Sequence, residues 1–122
     1  MPAKRRRGAL VHEYSLVRAL ADRVEAEARS RQAVAVHRLT VAIGAVSGVE
    51  PALFETAFSL CRDGVLAGAE LEIRRVEAAW SCPACGKEIP ADAALRCADC
   101  GIDARLAGGD ELILERIEME VP

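Results

Sequence analysis

The stretch SCPACGKEIPADAALRCADCG, residues 81 to 101, decides how the chain is divided. Its cysteines, Cys82, Cys85, Cys97 and Cys100, follow the pattern C-x2-C-x11-C-x2-C. Two thiolates separated by two residues can grip one ion from a tight turn, and a second such turn completes a tetrahedral four-sulfur set. Gly86 and Gly101 stand directly behind the two pairs. Glycine accepts the positive φ that aims backbone amides at the sulfurs, and those hydrogen bonds disperse thiolate charge. With all four positions filled by protein, no site is left for a reactive water, so the expected ion is a structural zinc. Iron in a rubredoxin-like site is the alternative ion. Disulfides fit poorly with a cytoplasmic chain, and a redox pair calls for one C-x2-C rather than two. The remaining cysteine, Cys61, falls in an apolar helical pattern and reads as a small buried hydrophobe.

Working outward, the segments on either side read as one body. In EYSLVRALADRVEAEARSRQ, Leu16, Val17, Leu20, Ala21, Val24 and Ala28 form the stripe of an amphipathic helix. Glu25 with Arg29 and Glu27 with Arg31 stand acid-first at i,i+4 on its outer face. HRLTVAIGAV alternates Leu39, Val41 and Ile43 with Thr40 and Ala42, which predicts a strand. After a turn at Ser47-Gly48, Pro51 opens a second helix with Leu53, Phe54, Ala57, Phe58 and Cys61 on one side. LEIRRV is a short strand and ELILERIEME a last one, with Leu112, Leu114, Ile117 and Met119 as core contacts. The expected architecture is α+β: a small three-stranded sheet with two helices on one face, plus an inserted zinc-ribbon-like module built on the four paired cysteines. Residues 11–78 and 108–122 form the body and residues 79–107 the module.

Composition bounds the function. The chain has 122 residues, 52% hydrophobic and only 3% aromatic, so it holds one main, mostly aliphatic core. A net charge of -3 gives no general nucleic-acid footprint. The basic run Lys4 to Arg7 is the exception, and it reads as a solvated, disordered tail over residues 1–10. No apolar h-region follows it and no segment approaches the roughly 18 apolar residues of a membrane span, so a cytoplasmic location without membrane contact is expected. No phosphate-binding glycine loop or Ser-His-Asp arrangement occurs, and only His12 and His37 supply imidazoles. No catalytic residue and no enzymatic activity are expected.

Several phrases together resemble the HypA/HybF family of nickel metallochaperones. They are HEYSL at 12 to 16, IGAVSGVEPALFETAF at 43 to 58, LEI at 71 to 73, the WSCPACG and CADCG knuckles, and LILERIEME at 112 to 120. The resemblance covers residues 11 to 122 and implies a nickel-binding α+β domain joined to a zinc domain. It further implies work in [NiFe]-hydrogenase maturation, as a monomer or weak dimer, with a HypB-like GTPase and the hydrogenase large-subunit precursor as partners. Nickel(II) accepts square-planar nitrogen sets, and a chain beginning Met-His-Glu offers a terminal amine, successive amides and an imidazole in short chelate rings. Carried over, His12 supplies imidazole and amide, Glu13 an amide and a nearby carboxylate, and Glu50 occupies the position of an acidic residue suspected of supporting delivery.

The chain departs from that pattern at two places. His12 lies behind ten additional residues, and Val11 stands where the family has its initiator Met. A GUG codon for Val11 can also initiate, so translation from residue 11 is expected to restore Met-His-Glu. Ala45 stands where the family often has Glu. On local pattern alone, His12 to Ser15 could instead be a helix start, with Glu13 near the positive end of the dipole and Ser15 capping. His37 reads as an exposed strand residue. The competing functional classes are a zinc-ribbon adaptor for protein or nucleic acid, and a thiol redox enzyme. Against nucleic acid, Lys87, Arg96 and Arg105 in the knuckle segment are offset by Glu88, Asp92, Asp99 and Asp103.

Overall fold

The structure is a computed structural model that describes residues 2–91 and 94–122. Met1, Asp92 and Ala93 lie outside the described residues, as do the side chains of residues 1–10, including the basic run Lys4 to Arg7. The first helix, α1, spans Pro2–Ser30, so its backbone takes in residues 2 to 10 and carries HEYS within the helix. Ser15 Oγ donates to the Val11 carbonyl one turn back at 3.1 Å, the bond of an interior serine rather than of an N-cap. The helix-start reading of this phrase is therefore corrected. The other end of α1 is a Schellman turn: Gln32 takes φ 56, its amide reaches Arg29 O at 3.1 Å, and the Ala33 amide reaches Ala28 O at 2.8 Å.

Val17, Ala21, Val24 and Ala28 are the buried stripe of α1, with Leu16 and Leu20 half-buried beside it. The outer face is held by Glu27–Arg31 at 2.9 Å and Arg18–Asp22 at 2.9 Å. Glu25 sits 3.8 Å from Arg18.

The strand β1, Ala35–Gly44, is the centre of a three-stranded sheet. The helix α2, Pro51–Leu60, crosses over from it to β2, Glu70–Val76, which runs parallel to β1, Leu39 opposite Leu71 and Val41 opposite Ile73. A short 3-10 turn at Gly64–Leu66 lies between them and buries Leu66. The chain then makes the small antiparallel sheet β3 (Ala79–Ser81), β4 (Glu88–Ile89) and β5 (Arg105–Gly108), in the order β4-β3-β5. It returns as β6, Leu112–Glu120, antiparallel to β1 on its free side. Leu39, Val41 and Ile43 of β1 join Phe54, Ala57, Phe58 and Cys61 and the α1 stripe in one core. Each fully buried aliphatic or phenyl side chain stabilises by about 1.5–3 kcal/mol. On the opposite face Arg38 lies 3.5, 3.8 and 4.0 Å from Glu70, Glu72 and Glu118.

Body and module meet where the two crossings of the chain touch. The amides of Gly44, Ala45 and Val46 donate to the carbonyls of Glu111, Val76 and Gly109 at 2.8, 2.7 and 2.8 Å. Gly109 has φ 97, and its backbone packs against Glu77 and Ala78 so closely that no Cβ fits. A Cβ on Gly44 would overlap the Gly109 carbonyl. Glu111 closes this turn by accepting the Gly109 amide at 2.6 Å. The amides of Glu111 itself and of Gly109 hold its carboxyl below the usual carboxylate range.

Replacing Gly44 by Ala pushes backbone against backbone, a strain of the kind that costs ~1–3 kcal/mol or more. Urea unfolding of Gly44→Ala is expected to show at least that loss, and an unchanged midpoint would contradict the packing described.

Candidate metal centre

The module's two knuckles repeat the same backbone path. In the first, the Cys82 amide donates to Lys87 O at 2.9 Å and the Gly86 amide to Cys82 O at 2.8 Å; in the second, Cys97 donates to Ile102 O at 2.9 Å and Gly101 to Cys97 O at 2.8 Å. Gly86 and Gly101 take φ 75 and 69, the left-handed conformation expected of them. The turns aim amides at sulfur: Ala84 and Cys85 donate to Cys82 Sγ at 3.4 and 3.5 Å, and Cys100 donates to Cys97 Sγ at 3.4 Å. Cys82 and Cys97 are buried against Ile89, with Trp80 and Ala104 packed over them, while Cys85 and Cys100 face outward. A pairing of Lys87 with Asp99 ties one knuckle to the other.

The four sulfurs lie within 4.8 Å of one another. A tetrahedral ion with metal–sulfur bonds of ~2.3 Å needs sulfurs about 3.8 Å apart, and Cys85 Sγ and Cys97 Sγ are 3.8 Å apart. The donor set thus fits a tetrahedral thiophilic ion. The amides of Cys85 and then of Ala84 hold the Cys82 thiol down to about 6. Cys100, beside the sulfurs of Cys82 and Cys85, is pushed up to about 12. Lone-pair repulsion among packed sulfurs is what a cation would relieve.

His12, Glu13 and Glu50 converge at a second place. The His12 side chain is 58% exposed on α1, and the adjacent Glu13 side chain is 1% exposed. Glu13 Oε1 accepts from His12 Nδ1 at 2.9 Å, and Glu13 Oε2 accepts from the Glu50 amide at 2.7 Å. Glu50 is the N-cap of α2 and makes no side-chain cap of its own. A carboxylate from α1 therefore serves the positive end of α2. Its partner stands 37 residues away, and no local pattern announces the contact. Both Glu13 oxygens are engaged, and the Glu50 side chain faces solvent. His37 stands apart from this group and pairs with Glu120 at 3.0 Å.

A two-helix α+β body carrying a four-cysteine knuckle module is the architecture of a small metal-binding protein with two distinct parts. The chain belongs to the HypA family, whose model, described as hydrogenase/urease nickel incorporation, metallochaperone, matches residues 11–119. It is 40% identical over 114 residues to the hydrogenase maturation factor HypA of Wolinella succinogenes, covering 90% of this chain and 96% of that one. With the factor of the same name from Aquifex aeolicus it shares 35% identity, covering 91% of this chain and 99% of the relative. The fold is similar to the solution structure of the Ni metallochaperone HypA from Helicobacter pylori, with a TM-score of 0.68 and 28% identity over 90% of this chain and 98% of that one. A further HypA solution structure gives a TM-score of 0.76 at 30% identity, covering 89% of this chain and 96% of the other. No helix among the described residues is long and apolar enough to cross a membrane.

Metal must displace protons from the thiols. Protons and metal therefore compete for the same four sulfurs, and retention weakens as the pH falls. Metal held by the module, measured after dialysis between about pH 8 and pH 5, is expected to be retained at the upper end of that range and to fall progressively toward the lower. Retention that does not change across that range would contradict this.

Proposed function

We propose that the chain is a nickel metallochaperone that binds Ni(II) near HEYS and hands it on for [NiFe]-hydrogenase maturation, with a structural zinc in the module. The observation that carries this reading is the family match over residues 11–119, described by nickel incorporation. The names of the relatives, hydrogenase maturation factors, support hydrogenase as the destination. A HypB-like GTPase and the hydrogenase large-subunit precursor are the partners proposed, in the cytoplasm, with the chain monomeric or weakly dimeric. A metallochaperone binds and transfers, so no catalytic turnover is assigned.

His12 is the residue proposed to meet the cargo, since its imidazole is exposed. Its amide and that of Glu13 are a different matter. An α-helix leaves only its first four N–H groups without intrahelical acceptors. In a helix that begins at Pro2, residues 12 and 13 lie beyond those four. In a chain that begins at residue 11 they fall among the four, and the terminal amine stands next to them. The amide-and-amine nitrogen set therefore goes with the shorter form, and the family match that begins at residue 11 supports it. Cys82, Cys85, Cys97 and Cys100 are proposed to hold zinc, supported by the tetrahedral spacing of their sulfurs. The adaptor reading has less support. Within the module Lys87 is paired with Asp99, and Arg96 lies 3.8 Å from Asp103, which leaves little free positive charge.

Nickel titration by calorimetry on two zinc-loaded forms tests the reading, one beginning at Met1 and one with Met in place of Val11 as its first residue, each beside its His12→Ala variant. Tight binding in the shorter form, lost with His12, is expected; no His12-dependent binding in either form would overturn the nickel assignment. Separately, Cys82→Ala is expected to abolish zinc retention while the body stays folded. The ion contributes on the order of 10 kcal/mol or more to folding small zinc domains. Normal zinc content in that variant would contradict the assignment.

A further inference from the structure

The contacts of the Glu13 carboxylate give that side chain a role beside the one its amide has toward the cargo. Its carboxylate is almost wholly buried, and each oxygen already has a partner, one on the imidazole of His12 and one on the backbone at the start of α2. A buried carboxylate oxygen that loses its hydrogen bond costs more than the bond itself is worth, because water cannot take the partner's place. The arrangement is therefore strongly biased toward keeping both contacts. It also has a chemical direction. A carboxylate can only accept, so the bond at 2.9 Å requires the proton to sit on Nδ1 of His12. Neutral His12 is then the Nδ1–H tautomer, with the lone pair on Nε2.

That choice of nitrogen matters for the cargo. An imidazole and its own backbone amide close a compact six-membered chelate through Nδ1, whereas Nε2 lies on the far side of the ring. The nitrogen required by the amide-bound nickel set is the one that Glu13 holds. We propose that Glu13 is a positioning residue that acts as a latch: it keeps His12 in the Nδ1–H tautomer, and capture of nickel through Nδ1 must open this bond. Opening strands Oε1 in a buried site while Oε2 remains on the Glu50 amide, so loading of the cargo is communicated to the first turn of α2. The inference rests on the nickel reading of His12, but its first half concerns the metal-free protein.

The test uses the full zinc-loaded chain labelled with nitrogen-15, observed at alkaline pH. Two-bond correlations of the His12 ring are expected to show the Nδ1–H tautomer in the unsubstituted protein. In Glu13→Gln the substituted amide can still accept from the Glu50 N–H and can donate to Nδ1, so the tautomer is expected to invert to Nε2–H while the fold is kept. A merely structural role for Glu13 would not invert it. The Nε2–H tautomer in the unsubstituted protein overturns the proposal, and so does an unchanged tautomer in folded Glu13→Gln. Should that variant fail to fold, the unsubstituted protein still decides. Nickel is then added to whichever form binds it in calorimetry, and the Glu50 amide signal is expected to shift on loading. Nickel bound through His12 with that signal unmoved overturns the latch and leaves the chaperone reading intact. No His12-dependent nickel in either form overturns both, with the tautomer measurement still reporting on the hydrogen bond.

Discussion

The hydrogen bonding of β1 along both of its edges is the constraint from which the rest of the molecule follows. A parallel partner cannot be reached by a tight turn, so the chain must cross over the sheet, and α2 is the crossover that brings β2 alongside. The antiparallel partner β6 comes from the far end of the sequence. Everything between β2 and β6 must therefore be routed away from the sheet and back again, and the knuckle module occupies that excursion. The apolar side chains Leu39, Val41 and Ile43 then give α1 and α2 a common surface, so that one strand organises both the sheet and the helical layer.

Between the two helices the packing is not purely apolar. Among the described residues Glu13 is the one buried charged side chain, and it lies where α1 passes the start of α2. Desolvating a carboxylate is costly unless it is fully hydrogen-bonded. Here the requirement is met by a backbone amide at a helix N-terminus and by an imidazole, a combination that also fixes how the two helices sit at that end. Apolar residues could fill the same volume without specifying a hydrogen-bonding direction. The polar contact makes the position of His12 depend on a helix whose N-cap stands 37 residues after Glu13.

The sequence is most legible where structure is local. The knuckles follow from cysteine spacing and the glycines behind it, because the chelating turn is complete within a few residues. The α1 stripe and the alternation in β1 are equally local, and the structure has both. HEYS is harder. A polar phrase before an apolar stripe resembles a helix start, yet the Ser15 hydroxyl bonds one turn back and shows that the helix is already under way. The short strands β3, β4 and β5 have no pattern of their own, since two to four residues are too few to alternate and they are held by pairing around the knuckles. The Glu13–Glu50 contact and the closure by Gly44, Gly109 and Glu111 depend on residues far apart in sequence, and only the fold brings them together.

That closure bears on chain entropy. The module leaves the body at Glu77–Ala78 and re-enters at Gly109, and these points lie in backbone contact. Before β6 can dock on β1, the polypeptide between them must bring its ends together, and the entropy lost in doing so grows only slowly with loop length. A metal cross-link between the knuckles would shorten the free contour further. From the standpoint of the sheet, the whole module then counts as little more than a turn between β2 and β6. An excursion whose ends meet in this way can vary in length and sequence between relatives while the register of β6 on β1 stays the same.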